Sequence, residues 1–148
     1  MTLVDAFGRH AEDLRISLTD KCSLRCTYCM PAAGLDWLAK DLVLSDDELV
    51  RLASVFIGLG VHTIRLTGGE PLVRPGTPAL VRRLAQLEPR PELSLTTNAI
   101  ALADQAGQLA ESGLDRVNVS LDTLDRERFR TLTRRDRLPA VLAGLEAA

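Results

Sequence analysis

Residues 13–29 read DLRISLTDKCSLRCTYC. The first seven alternate. Leu14, Ile16 and Leu18 point one way and Arg15 and Ser17 the other, the period-two pattern of a β-strand. A loop follows directly, Cys22-Ser-Leu-Arg-Cys26-Thr-Tyr-Cys29, and it holds all three cysteines of the chain. Any metal that these thiols bind therefore sits at the carboxyl end of the first strand.

The rest of the chain extends this unit. Residues 1–12 form a surface lead-in, and Pro31 to Val43 an irregular loop containing Gly34 and Trp37. Ser45 with Glu48 three residues on is a capping box. Leu49, Leu52, Ala53, Phe56 and Leu59 follow as an apolar stripe, ending at Gly58 or Gly60. Val61–Thr67 predicts a second strand, turned by Gly68-Gly69-Glu70-Pro71. Thr77 before Pro78 predicts an N-cap, with the helix running to about Glu88. A third strand is expected over Glu92–Thr97 and a helix over Leu102–Glu111. The fourth strand spans Arg116–Leu121. Helical segments follow near Asp125–Thr131 and Pro139–Ala147.

The order is β-α repeated four times without a hairpin signal. It implies an α/β fold with a parallel sheet and helices on its outer side. Right-handed crossovers curl such a sheet toward a TIM-like barrel, here a partial (β/α) one of about four units. The 148 residues are expected to form one domain, 1–148. The last helix reaches Ala147-Ala148 without a cap, and the fourth strand's edge is unpaired. The chain thus reads as the N-terminal part of a larger domain.

Composition narrows the function. With 18 basic and 20 acidic residues the formal charge is -2, which argues against a broad nucleic-acid footprint but not against one anion held by arginines. Aromatic content is 3%, too low for a base-stacking platform. Asp5, Arg9, Glu12 and Asp13 occupy the place of a leader's apolar core, so the cytoplasm is the expected location. In that setting three clustered cysteines favour metal binding over disulfides.

In a parallel array the ligand site lies at the strands' carboxyl ends. Here those ends carry the cysteine loop, Gly68-Gly69-Glu70-Pro71, Thr96-Thr97-Asn98 and Asn118-Val-Ser120-Leu-Asp122. Three thiolates leave one iron of a four-iron cluster open, or a tetrahedral zinc one ligand short. For zinc the only histidines are His10 and His62, and neither lies in the loop. Arg15 and Arg65 lie on the polar faces of their strands, where an anion or protein carboxylates would pair them. Arg134 and Arg135 could also reach an anion, but adjacent charges in a turn read first as solvated, and Trp37 reads as loop packing.

The Cys-x3-Cys-x2-Cys loop with Tyr28 before its last cysteine resembles that of the radical S-adenosylmethionine (SAM) enzymes. Leu3–Arg9, Leu14–Asp20, Tyr28-Cys-Met-Pro31 and Gly34–Leu38 are similar to the GTP 3',8-cyclase family of molybdenum-cofactor biosynthesis. So are Arg65–Leu72, Thr96-Thr-Asn98 and Val117–Asp125. The resemblance implies that Cys22, Cys26 and Cys29 ligate three irons of a [4Fe–4S] cluster while SAM chelates the fourth. One electron would cleave SAM to methionine and a 5'-deoxyadenosyl radical, so no side chain is itself catalytic. That radical would start the conversion of GTP to 3',8-cyclo-7,8-dihydroguanosine 5'-triphosphate. Tyr28, Gly69, Glu70 and Ser120 would contact SAM, and Arg15, Arg65 and Thr96 would contact GTP. An electron donor such as flavodoxin or ferredoxin is implied, and a homodimer is an allowed assembly.

The chain departs from that family in several respects, including the lack of its C-terminal glycine pair. A second three-cysteine cluster and a GTP-contacting lysine are absent, and Ala99 stands where glycine is usual. Two alternatives therefore stay open: a radical SAM enzyme with another substrate, and a non-catalytic metal- or SAM-binding module.

Overall fold

The computed structural model describes residues 2–148. Four strands, β1 (Asp13–Ser17), β2 (Thr63–Thr67), β3 (Glu92–Thr97) and β4 (Arg116–Val119), form one parallel sheet in sequence order. Adding each new strand beside its predecessor curls a barrel wall, whereas a doubly wound sheet reverses direction. The helices are α1 (Asp46–Gly58), α2 (Thr77–Ala85), α3 (Leu102–Glu111), α4 (Arg126–Thr133) and α5 (Leu138–Glu146).

Register gives the sheet two unlike faces. Leu14, Ile64 and Leu93 lie side by side across β1–β3, and Ile16, Leu66, Leu95 and Val117 form the next row. Ile16, Ile64, Leu66, Leu93 and Leu95 are buried in one core with Ala53, Leu80, Leu84, Leu102 and Leu109 of the helices. The opposite face is polar: Arg15, Arg65 and Ser94 are register partners, as are Thr96 and Asn118. Each buried leucine or isoleucine contributes about 1.5–3 kcal/mol. A one-residue slip would turn these rows to the polar side, so the alternation itself sets the register.

The expected elements are present, with shifted ends. The Ser45 capping box forms: Glu48 N–H donates to Ser45 Oγ, and the Glu48 carboxylate accepts from Ser45 N–H. Gly76, not Thr77, caps α2; its φ of 81° supplies the left-handed turn. Thr77 is instead the first helical residue, and its buried hydroxyl donates to the carbonyls of Pro71 and Arg74. That helix ends at Ala85, short of Glu88, and β4 ends at Val119 rather than Leu121. Two short 3-10 turns, Lys40–Leu42 and Pro71–Val73, interrupt segments expected to be irregular. Among the described residues no helix is long and apolar enough to cross a membrane.

Candidate functional site

The carboxyl ends of the strands enclose a cavity of about 210 Å³. Cys22, Cys26, Cys29 and Tyr28 line it from the loop after β1, and Gly69 and Glu70 from the turn after β2. Thr96 comes from β3, Ser120 from just beyond β4, and Arg15 from the polar face of β1. Of the ten residues that the resemblance assigns to the cluster, SAM or GTP, nine line this cavity and Arg65 does not. A second cavity, about 400 Å³, sits on the other side of the glycine pair. Its walls are largely leucines, among them Leu18, Leu38, Leu44 and Leu49, and none of the cysteines reaches it.

The cysteine loop is built for convergence. Cys26 C=O accepts from the backbone N–H of Cys29 and Met30 at 3.0 and 3.1 Å, closing a tight turn. Leu24 N–H donates to Cys22 Sγ at 3.4 Å, and Asn98 Nδ2 approaches the same sulfur at 3.8 Å. Burial pushes the Cys22 and Cys26 thiols up from their ordinary value, with smaller contributions from mutual repulsion among the three sulfurs. Cys22 and Cys26 are half-buried and Cys29 is exposed. Among the described residues no three His, Cys, Asp or Glu side chains meet at the spacing of a single metal ion.

The glycine pair answers to this loop. Gly68 has a φ of 139°, and a Cβ there would strike the Thr19 carbonyl. A Cβ on Gly69 would strike the Lys21 carbonyl. Gly69 and Glu70 donate their N–H groups to the carbonyls of Thr19 and Lys21 at 2.7 and 2.8 Å. The chain between β1 and Cys22 thus lies directly on the backbone of the β2 turn, where only glycine leaves room.

Glu70 is 1% exposed and carries three hydrogen bonds. Oε1 accepts from Leu72 N–H (3.0 Å) and the Thr97 hydroxyl (2.7 Å), and Oε2 accepts from Asn98 N–H (2.7 Å). It joins the ends of β2 and β3. A carboxylate has about four acceptor positions, so one remains on Oε2.

Tyr28 is 68% exposed, and its hydroxyl donates to Asp122 Oδ2 at 2.6 Å. That bond, followed by partial burial, holds the phenol well above its ordinary value. Arg15 is exposed and lies in register beside Arg65, whose Nε is buried without a hydrogen-bond partner. Like charges on neighbouring strands repel, so the pair is suited to an anion lying across it.

Several contacts around the loop go beyond the sequence reading. Asp122 stood at the end of the fourth strand-end segment, but nothing local joined it to Tyr28. Asn98 Nδ2 donates to Ser23 Oγ at 3.1 Å, joining the end of β3 to the cysteine loop. Arg134, expected in solvent, is half-buried and donates through Nη1 to the carbonyls of Arg25 (2.9 Å) and Met30 (3.1 Å). Arg135 is exposed, as expected. Trp37 is half-buried and meets the cysteine loop, with the Arg25 guanidinium 5.2 Å from its ring centre.

Comparison with known proteins gives three findings. The family model described as the radical SAM superfamily matches residues 16–148. The chain is 60% identical over 147 residues to the GTP 3',8-cyclase of Streptomyces coelicolor (strain ATCC BAA-471 / A3(2) / M145), covering 99% of this chain and 43% of that protein. It is 59% identical to the GTP 3',8-cyclase 2 of Mycobacterium tuberculosis (strain ATCC 25618 / H37Rv), covering 99% and 41%. The chain thus spans about two-fifths of the length of the curated relatives it matches. Among solved structures, Streptococcus suis SuiB bound to S-adenosylmethionine superposes with a TM-score of 0.69 at 22% identity, covering 87% of this chain and 29% of that one. The structure titled anSMEcpe with bound AdoMet gives 0.72 at 19% identity, covering 91% and 38%.

Proposed function

The chain belongs to the radical SAM superfamily, and we propose that it is the SAM-cleaving, N-terminal part of a GTP 3',8-cyclase. The observation that carries this reading is the convergence of three thiols, the glycine pair, Glu70 and Ser120 on one strand-end cavity, together with the identity of 57–60% to the cyclases.

The donor set fits a [4Fe–4S] cluster. Three sulfurs face one cavity, one ligand short of four, and Cys22 Sγ already accepts an N–H. When bound, the cluster and SAM supply reductive cleavage of SAM to methionine and a 5'-deoxyadenosyl radical. The protein's share is binding, orientation and exclusion of water. Cys22, Cys26 and Cys29 would hold three of the cluster's four irons. The remaining acceptor position on Glu70 suits the ammonium group of the SAM methionine, and its three protein hydrogen bonds keep the carboxylate in place for it. Ser120, exposed at the rim, offers a hydroxyl, and Tyr28 lies along the mouth, tethered by Asp122.

Substrate binding falls to the polar face of the sheet. Arg15 and Arg65 are adjacent in register, and Arg65 Nε lacks a partner. Triphosphate oxygens answer both conditions, since guanidinium groups pair with phosphate through two parallel N–H bonds. Thr96, half-buried beyond this pair, adds a hydroxyl. GTP as substrate, molybdenum-cofactor biosynthesis, a flavodoxin- or ferredoxin-type donor, pairing of two copies and a cytoplasmic setting all belong to this proposal.

The test is anaerobic reconstitution with iron and sulfide, followed by dithionite and SAM. Iron–sulfur absorption and 5'-deoxyadenosine are expected. Their absence, or zinc in place of iron on metal analysis, would refute the reading. GTP binding by calorimetry should weaken in Arg15→Ala and Arg65→Ala while SAM binding holds. Unchanged GTP affinity in both variants would favour a radical SAM enzyme with a different substrate.

A further inference from the structure

The cysteine loop is anchored at a distance. Its backbone docks on the C-terminal end of α4, where the carbonyls of Leu132 and Thr133 accept from Thr27 N–H (2.8 Å) and Arg25 N–H (3.0 Å). The next residue, Arg134, adopts a left-handed conformation (φ 55°) and terminates the helix. Its Nη1 donates to the carbonyls of Arg25 and Met30, the residues that bracket Cys26 and Cys29.

We propose that Arg134 is the positioning residue of the cluster loop, a guanidinium clamp that holds the carbonyls on either side of Cys26 and Cys29 at a fixed span. One cationic donor shared by two carbonyls closes the segment into a ring. The turn at Cys26 C=O lies inside that ring. Without the clamp the loop keeps its contacts through the α4 carbonyls at residues 25 and 27 but loses the tie at Met30. Cys29 is exposed, and its own N–H bonds only within the loop, to Cys26 C=O, so it is then the ligand that the lost tie at Met30 leaves with the least support. Arg134 touches no reacting atom. It acts through the loop, on the retention and geometry of the cluster. A solvated turn arginine would not be half-buried against two carbonyls more than 100 residues away in sequence. The left-handed backbone points the same way, because a non-glycine residue is disfavoured at positive φ unless contacts such as these hold it there.

The inference rests on the cluster reading above, and the test separates the two. Arg134→Gly removes the guanidinium and suits the left-handed backbone, so the fold is preserved. Arg134→Lys keeps a charge but not the planar fork. Parent and variants are reconstituted together, and iron loss to a ferrous chelator is followed by absorbance. Amide hydrogen exchange is measured on the metal-free chains. In Arg134→Gly, iron loss should be faster by roughly tenfold or more, the loss of at least one charge-assisted hydrogen bond. Amides 25–30 should exchange faster while those of β2 and β3 do not, and thermal unfolding of the metal-free chain should hold. Arg134→Lys should fall between. Equal iron retention in parent and Arg134→Gly, with unchanged exchange at 25–30, overturns the clamp and leaves the cluster assignment standing. Failure of the parent to take up a cluster overturns both.

Discussion

Replacing Glu70 with glutamine should cost the metal-free chain about 2 kcal/mol, roughly a seventh to two-fifths of the stability of a typical domain. The figure follows from the three donors around the carboxylate. If the new amide oxygen takes the place of Oε1, it keeps Leu72 N–H and the Thr97 hydroxyl, and the NH2 group meets Asn98 N–H. If it takes the place of Oε2, the NH2 group meets Leu72 N–H instead. In either orientation one buried backbone donor loses its acceptor, a loss of about 1–3 kcal/mol. The surviving bonds lose their charge assistance, about 1 kcal/mol more. Against these, a buried charge disappears together with its desolvation penalty, which offsets part of the loss. Urea unfolding of the metal-free chain measures the result. With slopes of about 1–3 kcal/mol/M for small proteins, the midpoint should fall by about 1 M. Thr97→Val in the two backgrounds supplies a double-mutant cycle, expected to give at least about 0.5 kcal/mol of coupling. A Glu70→Gln chain within about 0.5 kcal/mol of the parent, with no coupling to Thr97, would refute the view that this carboxylate joins β2 to β3.

Gly69→Ala should push the chain at Lys21 away from the β2 turn, lowering both the thermal midpoint and iron uptake on reconstitution; metal analysis and a melting curve check this. Gly144→Ala should destabilise by about 1–3 kcal/mol, the range for overpacking, because its methyl meets the Ala99 carbonyl and lies 3.1 Å from Leu102 Cβ; denaturant titration measures it. In the metal-free chain, iodoacetamide should label exposed Cys29 before half-buried Cys22 and Cys26. Burial raises the latter two thiols, so at a given pH they hold less thiolate, and their rates should climb later as pH rises; mass spectrometry of the labelled peptides follows the order. The same shift contributes stability below the unfolded thiol pKa that is lost as pH rises through the folded value. The metal-free chain should therefore melt lower at pH 10 than at pH 8.

The periodic parts of this protein are legible in its residue types alone. Alternation within each strand set both the two-faced sheet and its register, because a slip by one residue would expose the rows of Ile16, Leu66 and Leu95. The capping box at Ser45 needs only four consecutive residues, and the crowding of three cysteines into eight positions needs no fold to be seen. Ala99, marked as a departure from glycine, sits at a φ of 63°, the left-handed backbone that glycine favours there. The contacts that cross between units come into view only once the chain is folded. The bond from Thr97 to Glu70 spans 27 residues, that from Tyr28 to Asp122 spans 94, and that from Arg134 to Arg25 spans 109. Each depends on where a β/α crossover returns the chain, and no local pattern of residue types encodes that position. An arginine in a turn has the same local sequence whether it faces water or two carbonyls of a distant loop. The curl of the sheet brought α4 back to the loop after β1, and so decided which arginine would meet the cysteines.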